Sequence, residues 1–176
     1  IAADSEAPGL RTIGMITGAA WTDIDKDGWL DLIIAGEWMP VTVFKNHQGK
    51  LVNETISIGL QNTTGLWSSL YVADLNGDGY DDILLGNNGT NTKLDASLAF
   101  PLMLYVADFD GNASIDQLIA SEYEGKYFPF LGKEELENNL PALIKKKYLG
   151  YASFAGQTIQ EVFGEKLNHA KKLSAC

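Results

Sequence analysis

A nine-residue acidic pattern occurs three times in this chain and limits what the chain can fold into. The first copy runs Asp23-Ile-Asp25-Lys-Asp27-Gly28-Trp29-Leu-Asp31, followed by the apolar run Leu32-Ile33-Ile34-Ala35-Gly36. The second runs Asp74-Leu-Asn76-Gly77-Asp78-Gly79-Tyr80-Asp81-Asp82, then Ile83-Leu84-Leu85-Gly86. The third runs Asp108-Phe-Asp110-Gly111-Asn112-Ala113-Ser114-Ile-Asp116, and Leu118-Ile119-Ala120 follow it. A short apolar stretch precedes each copy, ending at Trp21, Ala73 and Ala107. Repetition of one supersecondary unit points to a repeat architecture of strand, acidic loop and strand.

The spacing has a direct chemical reading. Calcium takes six to eight oxygen ligands at about 2.3–2.6 Å. Oxygen side chains at positions one, three and five of such a loop can turn inward around one ion. These are Asp23, Asp25 and Asp27, then Asp74, Asn76 and Asp78, then Asp108, Asp110 and Asn112. A glycine at position six supplies a left-handed turn, and position seven offers a backbone carbonyl from Trp29, Tyr80 or Ser114. The acid at position nine (Asp31, Asp82 or Asp116) then closes the cage. Position twelve is Ile34, Leu85 or Ile119, so the bidentate acid of an EF-hand is missing. Asp, Asn and Gly clusters also form metal-free turns through Asx hydrogen bonds. Against that reading, the three loops gather eleven of the 23 acidic residues, and carboxylates packed together repel unless a cation neutralises them. Ala113, where the other copies have glycine, carries a left-handed cost of about 1–2 kcal/mol.

These loops and their flanking strands resemble the FG-GAP repeats of integrin-type β-propellers and the related VCBS repeats of bacterial surface proteins. The stretch from Asp31 to Asn46 is similar to a VCBS blade with its second and third strands. Residues 132–147 resemble the segment located after a blade in envelope proteins that carry VCBS repeats ahead of an ASPIC/UnbV domain. The resemblance implies a propeller whose rim loops bind calcium through the residues numbered above. The expected fold class is mainly β: a partial propeller of about three blades plus a C-terminal α-helical segment. The repeat distance is irregular, 51 residues from Asp23 to Asp74 and 34 from Asp74 to Asp108. Residues 87–100 therefore read as a loop replacing an outer hairpin.

Strands are expected near 15–22, 30–36, 41–46, 51–56, 68–73, 82–86, 101–107, 115–121 and 126–130, with a hairpin turn at 46–49. Three blades do not close a ring, since propellers use four to eight. The chain is thus expected to be part of a larger protein, or to self-associate through open sheet edges. After residue 132 the texture changes. Leu136, Leu140, Leu143, Ile144 and Tyr148 recur at helical spacing, with Pro141 starting a second helix, and so do Ala155, Ile159, Val162, Phe163 and Leu167. Residues 1–132 hold 18 acidic against 6 basic side chains, whereas 133–176 hold 5 against 7. Two regions are drawn on that basis: propeller blades over 1–132 and a helical appendage or inter-blade insertion over 133–176.

A net charge of −10 disfavours nucleic acid and anionic membrane surfaces. No apolar run reaches the roughly 18 residues that span a bilayer, and the single Cys176 allows no intrachain disulfide. Catalysis is not expected. The only imidazoles are His47 and His169, and nothing pairs Glu37, Glu122 or Glu124 as glycosidase acids. Trp21 and Trp67 read as core residues, Trp38 as the exposed tryptophan, and Lys145, Lys146 and Lys147 as a solvated helix face. Sequons occur at Asn53, Asn62, Asn88 and Asn112. A glycan on Asn112 would block the third loop, so they read as compositional. The expectation is a cell-surface adhesion or recognition module for a protein or glycan, with structural calcium. Extracellular calcium modules bind at about 10⁻⁴–10⁻³ M, which places the parent outside the cytosol or in the cell envelope. The alternative is a non-catalytic propeller portion of a larger polysaccharide-processing enzyme.

Overall fold

A computed structural model describes residues 5, 7–88, 93–94 and 96–176. The expected loop over 87–100 falls partly outside them, at 89–92 and 95. The chain is mainly β and divides into two compact units, Ile1–Thr92 and Lys93–Ser174. The change in charge texture falls later, at 132. Composition records solvent-facing chemistry, whereas the units record which apolar side chains share a core.

In the first unit, β1 (Met15–Thr22), β2 (Asp31–Met39), β3 (Thr42–His47) and β4 (Lys50–Asn53) form an antiparallel meander. A second hairpin, β5 (Gly65–Ala73) with β6 (Asp82–Asn87), joins it where Glu37 and Met39 of β2 meet Leu66 and Gly65 of β5. Eight of the nine residues of β2 are buried, Glu37 being the partly exposed one. That is why its apolar residues run on without alternation. Leu32, Ile34, Met39, Phe44 and Leu51 pack on one face. Ile33, Val41 and Val43 pack on the other, against Trp67, Leu70, Val72 and Leu85.

The strand expected over 51–56 stops at Asn53 for a local reason. Glu54 N–H still donates to Val43 O at 2.9 Å. The next donor, Val43 N–H, is taken by the buried Thr55 hydroxyl at 3.1 Å, which ends the ladder. Thr63 does the same for Val41 N–H at 3.0 Å.

In the second unit, β7 (Leu102–Ala107), β8 (Asp116–Tyr123) and β9 (Lys126–Pro129) form a meander. An additional strand, β10 (Lys171–Ala175), lies on the outer edge of β7. Its sequence, with one apolar residue between two lysines and a serine, carries too little alternation to signal a strand; the free edge of β7 defines it. Four short helices follow β9: α1 (Lys133–Asn139), α2 (Pro141–Lys147), α3 (Tyr151–Phe154) and α4 (Ile159–Phe163). Pro141 opens α2 as expected. Thr158 caps α4, its Oγ1 accepting from Glu161 N–H at 3.2 Å while Glu161 Oε2 accepts Thr158 N–H at 2.7 Å. The helical residues Leu136, Leu140, Ile144, Val162 and Phe163 share one core with Tyr105, Phe109 and Leu118 of the third repeat. No helix among the described residues is long and apolar enough to cross a membrane.

Two tryptophan expectations are reversed. Trp38, expected exposed, is 8% exposed, whereas Trp21, expected in the core, is 55% exposed. The β2 register shifts between Glu37 and Met39, and Trp38 takes a left-handed φ of 58° there. That irregularity breaks the period-two alternation on which the sequence assignment relied. Trp67 is partly buried and packs against the cluster of Ile33, Val41 and Val43. Of the lysine run, Lys145 and Lys146 are exposed, and Lys147 donates to Val162 O at 3.0 Å near the end of α4.

Thr55→Val leaves Val43 N–H buried without an acceptor. It is expected to cost about 1–3 kcal/mol, measured as a shift of the urea unfolding midpoint followed by tryptophan fluorescence.

Candidate metal-binding loops

Each acidic loop joins two antiparallel strands: β1 to β2, β5 to β6 and β7 to β8. The three close in the same way. The first-position carboxylate gathers backbone N–H groups. Asp23 accepts from Asp27 and Gly28 at 3.0 and 2.9 Å. Asp74 accepts from Gly77, Asp78 and Gly79 at 2.7, 3.2 and 2.9 Å. Asp108 accepts from Gly111, Asn112 and Ala113 at 2.7, 3.1 and 2.8 Å. The fifth position accepts the N–H of the seventh: Trp29 to Asp27 at 2.8 Å, Tyr80 to Asp78 at 2.8 Å and Ser114 to Asn112 at 2.7 Å. The ninth-position acid accepts the N–H of the second: Ile24 to Asp31 at 3.1 Å, Leu75 to Asp82 at 2.9 Å and Phe109 to Asp116 at 2.8 Å.

Two residues per loop are left-handed, not one. Position six has φ of 91° at Gly28, 87° at Gly79 and 67° at Ala113. Position four has φ of 62° at Lys26, 77° at Gly77 and 79° at Gly111. These turns aim successive N–H groups at the first carboxylate. The glycines at position four in the second and third copies were a signal in the sequence, masked in the first copy by Lys26. Ala113 adopts the strained conformation because three N–H bonds to Asp108 over-determine it.

The electrostatics follow from these bonds. The N–H groups of Gly79, Gly77 and Asp78 hold the Asp74 carboxyl below the usual aspartate value, with the Lys26 charge adding to the effect. Those of Ala113, Gly111 and Asn112 do the same for Asp108. Asp25 is lowered by the Lys45 ammonium, which is paired to its Oδ2.

The acids converge to different degrees. Asp23, Asp25 and Asp27 offer oxygens within 4.8 Å of one another, and so do Asp108, Asp110 and Asp116. In the second loop, Asn76 Nδ2 donates to Asp78 Oδ2 at 3.1 Å. In the third, Asn112 Nδ2 donates to Asp110 Oδ2 at 3.1 Å. Asp31 is fully buried and also accepts Asn46 N–H at 2.8 Å, which ties the first loop to β3. Thr22 Oγ1 donates to Asp81 Oδ2, joining the end of β1 to the second loop. Lys166 Nζ donates to Phe109 O at 2.7 Å in the third. No periodicity marks Thr22, Lys45, Asn46 or Lys166, since each comes from another element. The donor sets are hard oxygens, and in the first and third loops three acids converge closely enough to fit a cation of calcium's chemistry.

Elsewhere, His47 Nε2 pairs with Glu54 Oε1 at 2.9 Å, across the β3–β4 hairpin. Glu122 accepts Gly125 N–H in the β8–β9 turn.

Residues 23–85 match the family model for an FG-GAP-like repeat. That stretch of the chain is similar to an FG-GAP-like repeat. The match runs from the first residue of the first loop through β2–β5 into β6, and so covers both the first and second acidic loops. Comparison with curated proteins and with solved structures gave no match.

Ala113→Gly is expected to stabilise the protein by about 0.5–1 kcal/mol, the relief of left-handed strain exceeding the added unfolded-state entropy. Thermal unfolding checks it. Because the folded-state values of Asp74 and Asp108 are depressed, their stabilisation is present above the ordinary aspartate value and lost as pH falls through the folded values. Acid titration of the far-UV signal, begun near pH 4, is expected to show a shallower loss in Asp74→Asn than in the parent chain.

Proposed function

We propose that the three loops bind calcium and that the chain is a non-catalytic, propeller-type module. In this reading calcium is structural: it fixes the loops that join paired strands and so holds the surface that meets a ligand. One observation carries the proposal. Three loops separated by 51 and 34 residues repeat one hydrogen-bond frame, and that frame consumes only part of each carboxylate's accepting capacity. The remaining oxygens of positions one, three, five and nine are the hard donors calcium prefers.

The rest of the reading follows from affinity and geometry. Extracellular calcium modules bind at about 10⁻⁴–10⁻³ M, and an extracellular or envelope location within a larger protein is the setting we propose. The role proposed there is adhesion to, or recognition of, a protein or glycan. Sheet orders ending in β4, β6, β9 and β10 leave edges for further strands, either of the larger protein or of a second copy.

Thermal unfolding in excess calcium against excess EDTA tests the proposal. At calcium near a hundred times the dissociation constant, one site adds about 2.7 kcal/mol. For a chain of this size that is a rise of about 5–10 °C. The rise is expected to fall to the third loop's share in the Asp27→Ala/Asp78→Ala double variant, and to be lost when Asp110→Ala is added. Equal melting in both buffers would leave the loops as metal-free Asx turns.

A further inference from the structure

Lys45 has no place in the acidic repeat, yet it reaches into the first loop. It sits on β3, paired with Val52 across the hairpin. Its neighbour Asn46 is bolted to the loop twice: its N–H donates to Asp31 Oδ1 at 2.8 Å, and its Nδ2 to Leu30 O at 2.8 Å. The backbone from which Lys45 springs is therefore fixed relative to Asp25, and the Lys45 ammonium pairs with Asp25 Oδ2. Asp25 is the middle member of the three acids whose oxygens converge within 4.8 Å. The Lys45 side chain is 17% exposed against 40% for Asp25, so most of the lysine lies against protein.

We propose that Lys45 is a tethered competitor for calcium in the first loop, an internal cation that holds Asp25 when the metal is absent and must withdraw when it binds. The inference rests on the calcium reading above. An ammonium has three donors and no acceptor, so it cannot share Asp25 Oδ2 with a divalent cation without facing a like charge at close range. Lys45 thus offsets part of the carboxylate repulsion in the metal-free loop and raises the calcium concentration at which that loop fills. The other two loops are built differently. Position three of the second is Asn76, which donates to Asp78, and Asp110 of the third accepts from Asn112. Among the described residues, neither Asn76 nor Asp110 has a lysine partner. Among the described residues, the first loop is accordingly the one whose third-position side chain is held by a lysine from outside the repeat.

The seventh position provides a selective readout. It is Trp29 in the first loop, Tyr80 in the second and Ser114 in the third. Terbium, a calcium mimic, would be sensitised through tryptophan by the first loop, and calcium can then be titrated in to displace it. Lys45→Met is expected to tighten both terbium and calcium at this site about fivefold, the upper range for an exposed ion pair. Lys45→Arg, which keeps the charge, is expected to bind as the parent does. Lys45→Gln serves as a second neutral variant should the methionine protein fold poorly by far-UV circular dichroism. Unchanged or weaker binding in a folded neutral variant overturns the role of Lys45 while leaving calcium binding intact. Absence of calcium and terbium binding from parent and variants alike overturns both readings.

Discussion

Asp23, Asp74 and Asp108 each draw two or three backbone N–H groups onto one carboxylate, and the course of the chain on either side follows from that convergence. For those N–H groups to point at one place, the fourth and sixth residues must turn left-handed. That reversal returns the chain antiparallel to the strand it left. The ninth-position carboxylate then ties the start of the loop to the first residue of the next strand. Each hairpin is thus locked at its loop end by polar bonds and along its length by apolar strands. A fully buried Asp31 is tolerable because its oxygens accept two backbone N–H groups, from Ile24 and Asn46.

The same locking explains the division of labour between the loops. Backbone hydrogen bonds hold the frame of each loop, so a cation entering would reinforce an arrangement of oxygens already partly preorganised. What differs among the three is how the remaining charge is offset. The first has a lysine from β3, the second an asparagine amide beside Asp78, and the third an asparagine amide beside Asp110. The frame is kept while the counter-charge varies.

The first and third repeats satisfy their apolar faces differently. In the first unit, β2 is buried on both sides by strand residues of the same unit. In the second, the faces of β7 and β8 are completed by α1, α2 and α4, with Phe109 and Phe163 rings 5.3 Å apart. The helical periodicity over 136–148 was visible in the sequence. That these helices complete the core of the third repeat was not, because a heptad-like pattern specifies a face and leaves its partner open.

The sequence by itself determined what depends on local spacing. It set the three loops, the strands on either side of them, the chain reversal at 46–49 and the start of α2 at Pro141. In these a carboxylate, a turn residue or a proline acts on its own neighbours. Tertiary structure decided whatever needs a partner from elsewhere. Trp38 is buried where the β2 register shifts between Glu37 and Met39, whereas Trp21, opposite Leu32 on a regular stretch of β1, is exposed. The fourth strand ends at Asn53 because the Thr55 hydroxyl takes the ladder's next donor. β10 exists because β7 has a free edge. Lys45 meets Asp25 because Asn46 holds β3 against the first loop. Periodicity and spacing carry information over a few residues. Contacts between Lys45 and Asp25, twenty positions apart in the chain, are fixed by the packing of strands and cannot be read from either segment alone.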